Sequence, residues 1–183
     1  MIYADNAATT KMSKAAIDAM LPYMEEYYGN PSSLYAFGQQ AKEALENARS
    51  RIAACLHADP REVTFTSGGS EADNQAIMTA AALGMRRGKK HIVSTAFEHH
   101  AVLHTLEKLK KQGFEVTLLD VHNTGLVRPE QVAEAIREDT CLVTIMYANN
   151  EIGTIQPVTE IAGRKACCFI QMQYRRRDTC TLM

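Results

Sequence analysis

Three polar segments of the sequence carry residue types that could bind a phosphorylated ring. Residues 66–71, Thr-Ser-Gly-Gly-Ser-Glu, follow an apolar run and open a helical pattern. Glycines let a ligand approach the backbone closely, and the first N–H groups of a helix attract an anion such as phosphate. Residues 98–100, Glu-His-His, and 149–151, Asn-Asn-Glu, add an imidazole and a carboxamide. Together these groups predict a site for a phosphate and the ring that bears it.

The elements that must position these segments alternate between strand and helix. Apolar or β-branched runs predict strands at residues 62–66, 91–95, 114–120 and 140–148. Helical patterns are predicted at residues 13–28, 33–57 and 99–112, the second of them starting from a serine cap. Such alternation is typical of a mostly parallel sheet with helices on both faces. Ligands of these sheets bind beyond the carboxyl ends of the strands, where the three polar segments lie.

Each polar segment also has a purely structural interpretation. A Gly-Gly-Ser turn can be a tight connection with a serine cap, and His99 can be a solvated or capping histidine. Asn149 and Asn150 can form a turn, because asparagine tolerates unusual backbone conformations. The glycine spacing of residues 66–71 matches neither a dinucleotide fingerprint nor a P-loop, so those phosphate sites are disfavoured. The coincidence of three segments at the ends of three of the four predicted strands favours a binding site.

The composition is that of a soluble globular protein with one sizeable core. The 183 residues include 20 basic and 21 acidic side chains, and 46% are hydrophobic, which argues against a disordered chain or a nucleic-acid binder. No apolar run is long enough for a membrane span, and the first residues lack a signal-peptide layout, so we expect a cytoplasmic location. The five scattered cysteines suit reduced thiols and show no metal-ligand spacing.

Five stretches of the sequence together resemble the NifS-like cysteine desulfurases, within the class V aminotransferase group of pyridoxal-phosphate enzymes. They are YADNAATT (3–10), YGNPSSLYAFG (28–38), TSGGSEADN (66–74), EHHAVL (98–103) and NNEIGTIQPV (149–158). The resemblance extends from residue 1 to about residue 162. It implies a truncated α/β fold, the large domain of a fold type I pyridoxal-phosphate transferase. Residues 1–12 would belong to the small domain, and residues 13–162 would form part of the cofactor-binding large domain.

The resemblance also implies an activity, a cofactor and roles for particular residues. Such enzymes use pyridoxal 5'-phosphate to convert L-cysteine to L-alanine, and they pass the sulfur on as a persulfide for iron–sulfur cluster or thio-cofactor assembly. They act as homodimers with a sulfur acceptor or an iron–sulfur scaffold protein. By analogy, Gly69 and Ser70 would bind the phosphate, His99 would stack on the ring, and Asn150 would contact its oxygen. Asn150 and Asn6 would lie near the substrate.

The sequence departs from the family where the chemistry begins. No match is found for the Schiff-base lysine, for the aspartate that pairs with the ring nitrogen, or for the mobile cysteine. No catalytic residue is therefore assigned, and this chain alone is expected to be inactive. Two alternatives to a desulfurase stay open. One is a non-catalytic fragment or pairing module that binds the cofactor weakly or not at all, and the other is a different class V aminotransferase.

Residues 163–183 are predicted to be an aberrant, frameshifted tail with no selected structure. The family has a strand beginning near residue 168, followed by an HxDAxQ motif that this sequence lacks. Permitted codons for residues 167–178, read from their third nucleotide, give LFHTDAVQAAG, which contains that motif. Cys167, Cys168 and Cys180 would then have no catalytic role.

Sequencing the gene downstream of codon 166 tests this prediction. A shifted frame should encode HTDAVQ followed by an SxHK lysine motif. A gene with neither motif in any frame would contradict the frameshift.

Overall fold

The structure, a computed structural model, describes residues 2–6, 8–163 and 168–172 as two compact units that divide between Phe65 and Thr66. The helices of the first unit are α1 (Lys14–Glu25) and α2 (Ala36–Cys55), followed by a 3₁₀ turn at Pro60–Glu62. The helices of the second unit are α3 (Gly69–Arg86), α4 (His100–Lys111), α5 (Pro129–Ala135) and α6 (Val158–Ala162). Its strands are β1 (His91–Thr95), β2 (Glu115–Leu119), β3 (Thr140–Met146) and β4 (Cys168–Met172). The three predicted helices and three of the four predicted strands are confirmed.

Local hydrogen bonds decide where the two helices of the first unit begin. The Ser13 hydroxyl caps α1 by accepting a hydrogen bond from the Ala16 N–H at 3.2 Å. The serine cap predicted for α2 is wrong, because Tyr35 precedes this helix and makes no side-chain cap bond. The Asn30 side chain instead accepts from the Ser32 N–H at 2.9 Å, and its carbonyl accepts from the Ser33 N–H at 3.0 Å. This turn delays the start of the helix.

The second unit is a parallel sheet in the order β2-β1-β3-β4 with helices on both faces. Ile92 and Leu142 point to one face, where they pack with the apolar residues of α3 and α4. Val93 and Val143 point to the other face, where they pack with residues of α5 and α6. Successive side chains of a strand alternate between the two faces of its sheet, so each strand contributes side chains to the apolar layers on both faces. The predicted α/β architecture is confirmed.

Helix α3 packs against β3 closely enough to require a glycine. A Cβ atom on Gly84 would overlap the side chain of Cys141, which is itself buried in β3. Glycine costs up to about 1 kcal/mol relative to alanine within a helix. At residue 84 the lack of a side chain allows the short distance between the helix and the sheet.

The strand order creates a crevice between the carboxyl ends of β1 and β3. The chain leaves β1 toward β2 on one side and leaves β3 toward β4 on the other. Connections that diverge in this way open a gap at the topological switch point, where ligands of open α/β sheets bind. The loops after β1 and after β3 flank this gap.

The strand predicted at residues 62–66 is wrong. Pro60–Glu62 form a 3₁₀ turn capped by Asp59. Val63 has extended backbone, but residues 63–66 pair with no strand among the described residues. The Val63 carbonyl accepts instead from the Arg49 guanidinium at 2.5 Å. A β-branched sequence favours extended backbone, but a strand also needs a neighbouring strand to complete its hydrogen bonds.

The predicted tail contains β4, which pairs in parallel with β3 from Leu142 to Met146. Residues 168–172 thus form a strand where the family that the sequence resembles has one, contrary to the prediction of a tail with no selected structure. Cys167 and Cys180 lie outside the described residues. The domain boundaries at residues 12 and 162 and the frameshift stay predictions. No described helix is long and apolar enough to cross a membrane.

The first unit exposes an apolar stripe along α1. Ile17, Met20, Leu21 and Met24 recur at helical spacing and are each at least 40% exposed. None of the residues of α1 is buried. All members of the two buried apolar clusters come from the second unit, as far as the described residues extend. An exposed stripe of this kind favours association with another apolar surface.

We therefore expect the chain, of mass 20.3 kDa, to self-associate in solution. Replacing Ile17 and Leu21 by serine should shift the sedimentation profile toward the monomer, because both changes remove exposed apolar area. Asp18→Asn is the matched control, since Asp18 lies on the same helix and its side chain is 52% exposed. A wild-type chain that sediments as a clean monomer would contradict the prediction.

Candidate functional site

The N-terminus of α3 presents backbone N–H groups that no capping side chain occupies. Gly68 precedes the helix in an extended conformation and makes no side-chain cap bond. A Cβ atom on Gly68 or Gly69 would meet no described atom within 4 Å, so the backbone is open to approach. Ser70 is exposed in the first turn. This arrangement offers N–H groups, a hydroxyl and the positive end of the helix dipole to an anion.

A glutamate in the same turn limits the net charge of this anion site. Both the N–H and the hydroxyl of Ser67 donate to Glu71 Oε2, at 2.7 and 2.6 Å. The hydroxyl bond, with the backbone bond second, holds the pKa of Glu71 below its usual range. The ionised carboxylate offsets part of the helix dipole. Directed hydrogen bonds from the backbone and Ser70, rather than net positive charge, would therefore hold an anion here.

His99 lies directly before α4 with a fixed ring orientation. Its Nδ1 accepts a hydrogen bond from the Ala101 N–H at 3.1 Å, and the residue is half-buried. An accepting Nδ1 carries no proton, so the proton of the neutral imidazole is on Nε2. The capping role considered from the sequence is confirmed. It is compatible with ring stacking, because capping uses a nitrogen at the ring edge and stacking uses the ring face.

Asn149 and Asn150 lie in a tight turn after β3. Ala148 forms an antiparallel bridge with Ile155, and Asn149 Oδ1 accepts from the N–H groups of Glu151 and Ile152, at 2.8 and 3.0 Å. The turn role considered from the sequence is therefore confirmed for Asn149. Asn150 follows it and is half-buried within the turn.

Two buried carboxyl groups lie beside these loops. Glu98, after β1, is 6% exposed, and Asp73, in α3, is 8% exposed. Burial raises the pKa of Glu98 to about 7, assisted by the charge of Asp73 and opposed by hydrogen bonds from Met146 and Thr95. Burial also raises the pKa of Asp73, and the electrostatic interaction with His99 opposes that rise. One oxygen of each carboxyl, Oε2 of Glu98 and Oδ2 of Asp73, has no hydrogen-bond partner among the described residues.

The second unit contains four of the five predicted site residues. Helix α3 leads by a short connection into β1, so it runs antiparallel to the strands and its N-terminus, with Gly69 and Ser70, lies at their carboxyl edge. His99 and Asn150 lie at the same edge, after β1 and β3. Asn6 belongs to the first unit, where it is exposed and its carbonyl accepts from the Thr10 hydroxyl at 3.1 Å. The binding roles of these residues stay predictions.

Sequence reasoning placed Glu98 and Asn149 at this edge, but it did not predict the bonds that they make between the two loops, and it did not single out Asp73. Glu98 and Asn149 each stand within a few residues of a strand end, which was the available signal. Their hydrogen bonds join loops that are far apart in sequence: the bond from the Met146 N–H to Glu98 spans 48 residues. No local pattern reveals such a contact.

Comparison with known proteins identifies the family. The model of the class-V aminotransferase family matches residues 2–170. The chain belongs to the class-V aminotransferases. Its predicted fold class, a truncated fold type I pyridoxal-phosphate transferase domain, is confirmed by solved structures of this kind.

Within the class-V aminotransferases, the chain is similar to proteins named for cysteine desulfuration. It is 52% identical over 160 residues to the cysteine desulfurase IscS of Methanosarcina thermophila, covering 87% of this chain and 39% of that protein. A NifS-like protein structure aligns with a TM-score of 0.85 at 36% identity, covering 91% of this chain and 47% of the other. SspA in complex with cysteine aligns with a TM-score of 0.85 at 38% identity, with 92% and 49% covered. The chain therefore spans less than half the length of these relatives.

The buried carboxyl of Glu98 should make the stability of the chain fall as the pH rises. Folded Glu98 keeps its proton up to a pKa of about 7, whereas the unfolded chain releases it near 4.5. The folded state binds more protons between these values, so Glu98 lowers the free energy of unfolding as the pH rises through them, by about 3 kcal/mol at most.

Urea unfolding of the wild type and of Glu98→Gln, at about pH 5 and about pH 8, measures this dependence. Glutamine has no proton to release, so the urea midpoint of the variant should change less between the two conditions. Parallel changes in the two proteins would contradict the raised pKa.

Proposed function

We propose that the chain is the N-terminal part of a pyridoxal-phosphate-dependent cysteine desulfurase. The reaction would convert L-cysteine to L-alanine and pass the sulfur on as a persulfide for iron–sulfur cluster or thio-cofactor assembly. One observation carries the proposal: the open N-terminus of α3, His99 and the Asn149–Asn150 turn share the carboxyl edge of the sheet, in a chain 52% identical to a cysteine desulfurase.

The first turn of α3 fits the phosphate of pyridoxal 5'-phosphate. The open backbone at Gly68 and Gly69 allows the phosphate to reach the N–H groups, and the exposed Ser70 hydroxyl is a further donor. Phosphate oxygens accept several hydrogen bonds at once, so one helix turn can hold the group. A phosphate here would anchor the cofactor at the mouth of the crevice.

The loops after β1 and β3 fit the ring. His99, with its ring edge tied to the Ala101 N–H, would stack on the pyridine and keep it flat. The Asn150 carboxamide would donate to the ring oxygen without adding charge. Pyridoxal phosphate, when bound, supplies an electron sink for bonds to the substrate carbon next to the amino group. The described residues would serve to bind and orient the ring.

L-cysteine is the substrate that the similarities support. SspA, whose structure resembles this chain, was solved in complex with cysteine. In this chain Asn150 would contact the substrate carboxylate, and Asn6 would lie near the substrate at the mouth of the site. The whole enzyme would act as a homodimer in the cytoplasm and deliver sulfur to an acceptor or scaffold protein.

A second candidate function is a non-catalytic module that binds the cofactor and pairs with another chain. The lysines of the second unit within the described residues favour it for the chain alone. Lys89 and Lys90 precede β1, and Lys108, Lys110 and Lys111 end α4. Because α4 runs antiparallel to the strands, all these amino groups lie at the edge of the sheet opposite to the candidate site. Cys141 is buried within β3, and Cys55 ends α2 in the first unit.

Substitutions at Ser70 and His99 test the site. Pyridoxamine 5'-phosphate is a suitable probe, because its amine cannot condense with surface lysines as the aldehyde of pyridoxal phosphate does. Ser70→Ala should weaken its binding by roughly 10-fold or more, because hydrogen bonds to a charged group contribute about 1.5–3 kcal/mol. His99→Ala should weaken it less, because ring stacking contributes about 0.5–1.5 kcal/mol.

Matched controls come from the same residue types elsewhere. Ser50→Ala lies on α2, and His104→Ala lies on the exposed side of α4. Both should bind the probe as the wild type does in a fluorescence titration. Equal affinity in the wild type, Ser70→Ala and His99→Ala would exclude the assigned site.

A further inference from the structure

The loops after β1 and β3 are joined by two side-chain bonds that cross the switch point. The Met146 N–H at the end of β3 donates to Glu98 Oε1 at 2.8 Å. In the opposite direction, Asn149 Nδ2 donates to the Phe97 carbonyl at 3.4 Å. Each loop therefore contributes one side chain that binds the backbone of the other.

The hydrogen bond to Glu98 is the shorter of the two, at 2.8 Å against 3.4 Å. Glu98 Oε1 also accepts from the Thr95 hydroxyl at 2.9 Å, so a single oxygen binds the last residue of β1 and the last residue of β3. Thr95 and Met146 are both buried, as is Glu98 itself. Burying a carboxyl group is costly unless hydrogen bonds compensate. The two bonds hold Glu98 Oε1 at one place between the strands.

Glu98 and Asn149 each also lie directly before a residue that is predicted to contact the ring of the cofactor. Glu98 precedes His99, whose ring is fixed by its bond to the Ala101 N–H at 3.1 Å. Asn149 precedes Asn150 and holds the turn by accepting from the Glu151 and Ile152 N–H groups. A displacement of Glu98 or Asn149 would therefore move the residue that follows it, His99 or Asn150.

We propose that Glu98 is a positioning residue that sets the spacing between His99 and Asn150 by joining the ends of β1 and β3. This inference rests on the proposed function for its ligand, although the bonds that carry it belong to the chain itself. Glu98 acts through its hydrogen bonds and does not touch the ligand. The phosphate site does not depend on Glu98, because residues 67–71, around the start of α3, form their own local contacts.

Variants of Glu98 should differ in ligand affinity according to whether the new side chain can accept hydrogen bonds. Glu98→Gln keeps an oxygen that can accept from Met146 and Thr95, whereas Glu98→Met has a similar shape and offers only a weakly accepting sulfur. Glu98→Met should weaken pyridoxamine 5'-phosphate binding by roughly 10-fold or more and leave inorganic phosphate binding within about twofold. Glu98→Gln should keep both affinities within about threefold of the wild type.

The pair of probes separates positioning from general damage to the fold. A misfolded variant would lose phosphate and pyridoxamine phosphate together, whereas displaced loops affect only the ligand that has a ring. Unchanged pyridoxamine phosphate binding in Glu98→Met would overturn the inference. So would a Glu98→Gln variant as weak as Glu98→Met, because the acceptor geometry would then be irrelevant.

Thr95→Val serves if Glu98→Met does not fold. It removes one of the two bonds to Glu98 Oε1 and keeps the size of the side chain. The ring-bearing probe should bind this variant more weakly than the wild type, with phosphate binding unchanged. Equal binding of the ring-bearing probe by Thr95→Val and the wild type would count against the inference.

An NMR comparison without ligand distinguishes this inference from the proposed function. The amide signal of Met146 and the ring signals of His99 should shift in Glu98→Met and stay near their wild-type positions in Glu98→Gln. If the wild type binds neither probe, the proposed function fails, and these signals still test the positioning role. Unshifted His99 signals in Glu98→Met would show that Glu98 does not position the ring.

Discussion

The parallel pairing of β1 with β3 is the constraint on which the rest of the second unit depends. Ile92 and Val93 of β1 pair with Leu142 and Val143 of β3, and all of them are at most 1% exposed. Burial of such side chains contributes about 1.5–3 kcal/mol each, so this centre outweighs any single polar contact at the edge. The same pairing brings the loops after the two strands to one place. The candidate site exists because the chain diverges in opposite directions from these two neighbouring strands.

The stable centre permits unfavourable groups at the carboxyl edge. Glu98 and Asp73 are buried carboxyls, each with one oxygen that lacks a partner among the described residues. Such groups lower stability in a protein selected for folding alone. They lie beside His99, at the edge where the family resemblance predicts a cofactor. Departures from good packing and pairing are typical of functional sites, and the apolar layers on both faces of the sheet offset their cost.

Local sequence patterns predicted the elements whose determinants are local. The apolar run at residues 91–95 is β1 without any change of boundary, since a buried strand is continuous in sequence. The pattern at residues 62–66 predicted a strand that the structure does not have, because pairing depends on a distant partner. The start of α2 was misplaced because one side chain, Asn30, formed a competing turn.

The candidate site also contains residues that local sequence predicts and residues whose role depends on distant partners. The glycines and serine at the start of α3, and His99 and Asn150 after two strands, could be found from residue types and their positions at strand ends. The resemblance to a family then assigned their roles. The role of Glu98 could not be recognised, because a glutamate beside two histidines normally indicates a solvated surface. Its burial and its bond to Met146 follow from a pairing between segments that are 48 residues apart.

The two halves of the candidate site therefore depend on different parts of the fold. The phosphate half is built within residues 67–71, where the Ser67–Glu71 bonds and the first turn of α3 arise from neighbours in sequence. The ring half exists only when β1 and β3 are paired, because His99 and Asn150 are fixed from different strands. A chain with a loosened sheet would still attract phosphate through the helix end, but it would no longer select a ligand by its ring. In the proposed site, recognition of the ring would thus be a property of the assembled sheet, whereas recognition of the phosphate would be a property of one turn.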